Sequence, residues 1–184
     1  MLRLDNITVK FGESTVLENF STDLSESRIV AIVGPSGCGK TTLLNVISGL
    51  LKPNSGRVTT DESFVVMFQE PRLFAHLTAL ENVNVVLSDK KETYHLAKEL
   101  LLRVGITDFD KYPDELSGGM KQRVALARTL AGKASTLILD EPFASLDSDS
   151  RSELLEIVKK DGRRVIFVTH DMDDIKIADK IIKL

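Results

Sequence analysis

The sequence predicts an α/β core that is joined to an antiparallel β lobe and interrupted by an inserted α-helical lobe. Three observations predict it. Ile29 to Val33 and Thr136 to Leu139 have the length and apolar content of buried strands. Residues 78–132 between them are helical in character, with no strand signal. Ahead of both, Leu2 to Leu24 carries β-branched residues around one turn signal, as a hairpin does.

In chain order, Leu2, Leu4, Ile7 and Val9 do not alternate perfectly. With the turn Phe11-Gly12-Glu13 they still predict a strand whose partner runs over Val16 to Leu24. Ile29 to Val33 then leads into GPSGCGKTT, Gly34 to Thr42, which opens a helix-like segment over Thr41 to Leu50. Strand, glycine-rich loop, helix is the order that a phosphate-binding loop requires. Gly34, Gly37 and Gly39 let successive N–H groups turn inward on one anion. Pro35 has no N–H, so the donors are expected from Ser36, Gly37, Cys38, Gly39 and Lys40. Lys40 adds a full charge for the outer phosphates, the Thr41 hydroxyl suits a magnesium ion, and the helix that begins here, with Thr42 in its first turn, adds its partial positive end. The expected ligand is a Mg-nucleoside triphosphate, and the expected core is that of a P-loop NTPase. With that ligand, Phe11 at the hairpin turn has two readings, a core anchor or a ring stacked on adenine. Position alone favours the anchor.

The cluster Lys52-Pro53-Asn54-Ser55-Gly56 breaks regular structure, and Arg57 to Thr60 reads as a short strand. Phe64 to Phe68 reads as a second fully apolar strand, halted at Gln69-Glu70-Pro71. Gln69 stands where open α/β sheets bind ligands; it reads either as part of a magnesium or water shell or as solvated surface. The helical lobe follows, with a capping-box pair Thr78 and Glu81, an apolar stripe over Glu92 to Val104 and a third segment Ser117 to Ala131. The chain returns to the sheet at Thr136 to Leu139. A helix near Asp149 to Lys160, a strand Arg164 to Thr169 and a closing segment Lys180 to Leu184 complete it.

Two further stretches carry chemistry. TLILDEP, Thr136 to Pro142, delivers two carboxylates to one sheet edge. Asp140 can reach magnesium, directly or through water, and Glu141 is then beside the γ-phosphate, able to orient or deprotonate an attacking water. In LSGGMKQR, Leu116 to Arg123, Ser117 reads as a helix N-cap, and Gly118 and Gly119 allow an anion to approach the start of a long helix closely. One nucleotide cannot easily use two such helix ends on separate lobes. A two-fold head-to-tail dimer resolves this, with the loop of one copy facing LSGGM of the other.

Composition narrows the class. Hydrophobic residues at 42% and charged residues at 28% exclude disordered and fibrous chains. A net charge of -3 leaves no basic footprint for nucleic acid. No apolar run reaches membrane-span length and MLRLDNITVK lacks a signal-peptide core, so a cytoplasmic location is expected. The single cysteine, Cys38, fits a reducing compartment, and its place in the loop makes it a point of inhibition.

The ordered set GPSGCGKTT, LSGGMKQR, TLILDEP, SLD and VTHD resembles the nucleotide-binding subunit of an ATP-binding cassette (ABC) transporter over essentially the whole length. The resemblance implies ATP and Mg2+ as cofactors and a catalytic set of Glu141, His170, Lys40 and Gln69. It makes Gly34 to Thr42 the phosphate loop and Gln69 the glutamine of the lobe-linking loop. Ser117 to Gly119 become a signature that touches the partner's γ-phosphate, and Asp147 in Ser145-Leu146-Asp147 belongs to a loop that crosses the dimer. Thr41, Gln69 and Asp140 are the implied magnesium set. His170, at the end of the strand VIFVT, matches a switch histidine on the γ-phosphate, although alone it reads as a surface loop histidine. Phe11 falls where the family stacks an aromatic ring on adenine, which reverses the positional preference.

Two segments, Pro53 to Gln69 and Asp147 to Arg163, are shorter than the family pattern, and about fourteen residues follow His170, so no C-terminal regulatory domain is expected. The implied partners are a second copy or a related ABC ATPase, an integral membrane permease docking near Gln69 to about Leu87 and, for an importer, a solute-binding protein. QEPRLFAHLTALENV resembles the corresponding region of bacterial importer ATPases for nitrate, sulfonates and similar solutes. The alternative is an ATPase of a soluble machine such as iron-sulfur cluster assembly. A non-hydrolysing regulator is disfavoured by the presence of both Glu141 and His170.

Overall fold

A computed structural model describes residues 1–87, 91–144 and 146–184. In chain order, β1 (Leu2–Phe11) and β2 (Ser14–Asp23) form a hairpin, and β3 (Ile29–Val33) runs through the glycine-rich loop into α1 (Lys40–Ile47). β4 (Ser55–Thr60) and β5 (Phe64–Met67) follow, then α2 (Ala79–Leu87), α3 (Tyr94–Arg103) and α4 (Gly118–Ala131). The chain ends through β6 (Thr136–Asp140), α5 (Ser148–Lys160), β7 (Arg164–Val168) and β8 (Lys180–Lys183). It divides into two compact units, one of residues 1–66, 134–140 and 163–184, the other of residues 67–133 and 141–162.

The first unit holds both sheets. An antiparallel sheet has the order β2-β1-β4, and a five-stranded sheet the order β5-β6-β7-β3-β8. β3 pairs in parallel with β7 on one side and β8 on the other, and β6 pairs in parallel with β7. Short runs such as IVAIV and TLILD suit central strands of this sheet because both of their faces are covered. One core joins the two sheets to α1, with Leu2, Leu4, Ile7 and Val9 of β1 against Val30, Ile32, Leu43, Ile138 and Ile166.

The imperfect alternation of β1 has a physical cause. Asn6 takes a left-handed backbone with φ 50, and the pairing with β2 shifts register between Leu4 and Ile7. That bulge resets the strand's phase, so residues at both even and odd positions face the core. Several elements differ from expectation, among them β4, which begins at Ser55 inside the cluster expected to break regular structure. β5 ends at Met67 rather than Phe68 and is an edge strand, with Phe64, Val65 and Val66 only half-buried. α1 stops at Ile47 rather than Leu50, and Gly49 behind it has φ 77.

In the second unit α2, α3 and α4 pack on one another and bury Val83, Ala97, Leu101 and Val124. The capping box forms as the sequence predicts: Thr78 N–H donates to Glu81 Oε2 at 2.9 Å, and Glu81 N–H to Thr78 Oγ1 at 3.3 Å. Residues 88–90, within the stretch expected to be helical, lie outside the described residues. Asn82 is fully buried in α2 and its amide serves the preceding loop. Its Nδ2 donates to the carbonyls of Phe74, Leu77 and Thr78, and its Oδ1 accepts from Phe74 N–H. A buried amide with its bonding groups occupied fixes that loop's path.

Candidate active site

The glycine-rich loop of the first unit is shaped by close approach. Gly39 is the N-cap of α1 at φ 102, and a Cβ there would lie 2.8 Å from Val16 Cγ1 and 3.2 Å from Val16 O. Only glycine lets β2 of the hairpin close against the loop. At Gly34 a Cβ would meet Leu184 O and Cys38 Sγ, each at 2.7 Å. Lys40 is 6% exposed, and its Nζ donates to Gly34 O at 2.9 Å and Pro35 O at 2.8 Å. A buried ammonium needs such acceptors, and here they hold the charge inside the loop. One expected donor is turned elsewhere: Cys38 N–H points to Pro35 O, at 3.4 Å.

Beyond the loop, Thr41 Oγ1 donates to Asp140 Oδ2 at 2.8 Å, bringing together two residues 99 positions apart. Asp140 is 5% exposed at the end of β6. A hydroxyl and a carboxylate oxygen at this spacing fit a hard octahedral cation, whose neighbouring ligands at about 2.0–2.1 Å from the ion lie roughly 2.9 Å apart. His170 is exposed two residues past the end of β7. Its turn is held by Thr169, whose hydroxyl donates to the buried carboxylate of Asp174 and accepts from Asp171 N–H. Phe11 is 54% exposed at the end of β1, so the core-anchor reading is wrong and the ring remains open for stacking.

The second unit brings Gln69 and Glu141 together. Gln69 Nε2 donates to Glu141 Oε2 at 3.0 Å, across 72 positions of sequence. Glu141 itself has φ 48, a left-handed conformation that costs a non-glycine residue on the order of 1–3 kcal/mol. The strand therefore does not carry both carboxylates alike: β6 ends at Asp140, and Glu141 sits in the turn beyond. Ser117 is the N-cap of α4, its Oγ accepting from Met120 N–H at 3.2 Å. Capping uses a hydroxyl lone pair and leaves the hydroxyl hydrogen to donate. A Cβ at Gly118 would meet nothing within 4 Å among the described residues, and Gly119 follows it in the first turn.

Asp147 has a local duty that sequence reading missed. It caps α5, accepting from Ser150 N–H at 3.0 Å and Ser150 Oγ at 2.8 Å, and these bonds lower its pKa below the usual carboxylate value. An Asp three residues ahead of Ser150 at a helix start was the available signal. Ser145 of the same segment lies outside the described residues. Two more side chains join this unit's site: Gln122, which lies inside LSGGMKQR but was given no role there, and Arg128, which no motif announces. Gln122 Nε2 donates to Glu141 O at 3.3 Å, and Arg128 donates to the carbonyls of Pro71 and Arg72. Burial lowers the Arg128 pKa.

Known proteins resemble this chain over nearly all of it. The ABC transporter family profile matches residues 17–144. An uncharacterized ABC transporter ATP-binding protein of Methanocaldococcus jannaschii is 39% identical, covering 100% of this chain and 77% of the relative. The alignment runs over 205 positions against a chain of 184 residues, so this chain is shorter within the matched region. The bicarbonate transport ATP-binding protein of Synechocystis is 39% identical over 100% of this chain and 73% of its own length. The glutamine transport ATP-binding protein of Escherichia coli is 37% identical over 99% and 86%. Among solved structures, a dimeric ATP-binding cassette in a post-hydrolysis state with ADP and Pi superposes with a TM-score of 0.92 at 33% identity. It is covered to 94%, and this chain to 100%.

Proposed function

Because this chain belongs to the ABC transporter family, as one of its ATP-hydrolysing cassettes, we propose that it powers solute movement across a membrane through a permease partner, working as a head-to-tail pair of cassettes. The observation that carries the transport reading is that relatives matched over nearly the whole chain are transport ATP-binding proteins for bicarbonate and glutamine. Their solutes are small and polar, which supports import of a solute of that class. Among the described residues no helix is long and apolar enough to cross a membrane, so the membrane path falls to the partner. The cassette then sits on the cytoplasmic face, held there by the permease.

In this reading Phe11 stacks on adenine, and the backbone of Ser36 to Lys40 surrounds the phosphates. Lys40 turns from the Gly34 and Pro35 carbonyls to the β- and γ-phosphate oxygens. Thr41 and Asp140 would hold Mg2+, the family resemblance adding Gln69 to that set, and the ion would supply charge neutralisation on the phosphates. Glu141 orients a water in line with the γ-phosphorus and takes its proton as the water oxygen bonds to phosphorus and the P–O bond to ADP breaks, that bond's electron pair leaving with ADP. His170 and the partner's Ser117 to Gly119 segment donate hydrogen bonds to charge that develops on the γ-phosphoryl group. Asp147 and its loop face the other copy. Once phosphate leaves, nothing bridges the two copies and the pair reopens.

Alkylation of Cys38 is expected to block nucleotide binding, and bound ATP to protect the thiol. The measurement is the maleimide labelling rate with and without saturating ATP; labelling indifferent to ATP would place the nucleotide elsewhere.

The test of the transport reading is co-purification. The chain is tagged in its native cells, the membranes are gently solubilised, and its companions are identified. A stoichiometric multi-span protein is expected. Soluble partners alone would overturn the reading and move the same ATPase cycle to an assembly machine such as iron-sulfur cluster synthesis.

A further inference from the structure

We propose that α4 is the positioning element for Glu141, with Gln122 fixing its backbone and Arg128 fixing the loop that holds its carboxylate. The inference rests on the reading of Glu141 as the residue that orients water. Among the described residues of the second unit, two non-glycine residues have left-handed backbones, Arg72 at φ 45 and Glu141 at φ 48. The carbonyl of each accepts a hydrogen bond from a side chain of α4.

Gln122 is 3% exposed, and its Nε2 donates to Glu141 O at 3.3 Å, where Ala144 N–H also donates at 3.3 Å. Six residues on, Arg128 Nη1 donates to Arg72 O at 2.9 Å and Nη2 to Pro71 O at 2.7 Å. The guanidinium of Arg128 also lies 5.9 Å from the centre of the Phe74 ring, and that of Arg72 lies 4.0 Å over Phe68. Between these anchors stands Gln69, bonded to the Glu141 carboxylate.

Glu141 is therefore gripped twice from one helix, directly at its carbonyl and indirectly through the loop that bonds its side chain. A sparsely populated backbone conformation persists only where its surroundings over-determine it, and a residue so held is a functional candidate. An α-helix is stiff, so a displacement at its Ser117 end reaches both grips together. Neither Gln122 nor Arg128 touches the reacting atoms in this assignment; both act through Glu141.

The test is steady-state and single-turnover hydrolysis by the full chain, with sites counted by ATP-binding stoichiometry. Gln122→Met keeps the side chain's length and removes the donor. Turnover per binding site is expected to fall about 10- to 100-fold, because a misplacement of 1 Å at a reacting group costs on that order. The KM for ATP is expected to stay within about two-fold, the signature of an interaction that acts on the chemical step. Arg128→Lys, which keeps the charge and loses the two-carbonyl fork, is expected to show a smaller loss of the same kind.

On a Glu141→Gln background, Gln122→Met is expected to add no further loss, since residues acting as one unit are not additive. Wild-type turnover in Gln122→Met, or a loss matched by lost binding sites, would overturn the inference while Glu141→Gln remained inactive. Active Glu141→Gln would remove the underlying reading of Glu141, and the inference with it. Should Gln122→Met fail to fold, Arg128→Lys carries the same two outcomes.

Discussion

Replacing Glu141 by glutamine is expected to leave ATP binding intact and to slow hydrolysis by about 100-fold or more. The substitution keeps the side chain's shape and its ability to accept from Gln69, so it tests proton acceptance rather than packing. Without turnover the γ-phosphate stays in place, and a closed pair of cassettes should accumulate with ATP. Phosphate release measures the first effect and size-exclusion chromatography with and without ATP the second. Retained turnover would move the base to another residue.

Lys40→Met is expected to act one step earlier. Hydrogen bonds to charged groups contribute on the order of 1.5–3 kcal/mol, so losing the ammonium should weaken ATP binding by roughly 10- to 100-fold. The nucleotide-free chain should tolerate the change, because methionine is nearly isosteric and a buried charge is removed with it. The checks are equilibrium binding of a fluorescent ATP analogue and a thermal melt without nucleotide. Unchanged affinity would mean that the loop carbonyls keep Lys40 and that the phosphates are held by backbone N–H groups alone. The two variants separate binding from chemistry: Glu141→Gln binds without turning over, and Lys40→Met loses binding first.

Features set by neighbouring residues were legible in the sequence. The loop Gly34 to Thr42 is written in glycine spacing, and Thr78 with Glu81 and Ser117 with its helix are caps that span one turn. The pairing of Thr41 with Asp140 followed from chemistry, since a phosphate loop requires an acid at the end of another strand. What the sequence hid was long-range or depended on backbone conformation. Asn6 is of a type that tolerates the left-handed region, but nothing around it says that it takes φ 50 and resets β1, and a fully apolar stretch such as FVVMF does not say that it lies at a sheet edge. Gln122, inside LSGGMKQR but past its cap and glycines, and Arg128, outside any motif, give no sign in sequence of what they bond. Their partners, Glu141 and the carbonyls of Pro71 and Arg72, lie 19 and 56 to 57 residues away. The Cys38 amide, counted as an inward donor, faces Pro35 because a tight loop also bonds to itself.

The position of β3 between β7 and β8 has a consequence for how the protein is made. During synthesis the phosphate loop leaves the ribosome well ahead of both strands that flank its own strand, which come from residues 164–183. Until they emerge, β3 has no neighbour in its sheet, and an apolar strand with two open edges is prone to the wrong partners. Contacts between such distant segments form slowly. A nascent chain that carries the entire nucleotide loop still lacks both neighbours of the strand that leads into it, so competence to bind ATP is expected to arrive with β7 and β8 rather than with the motif.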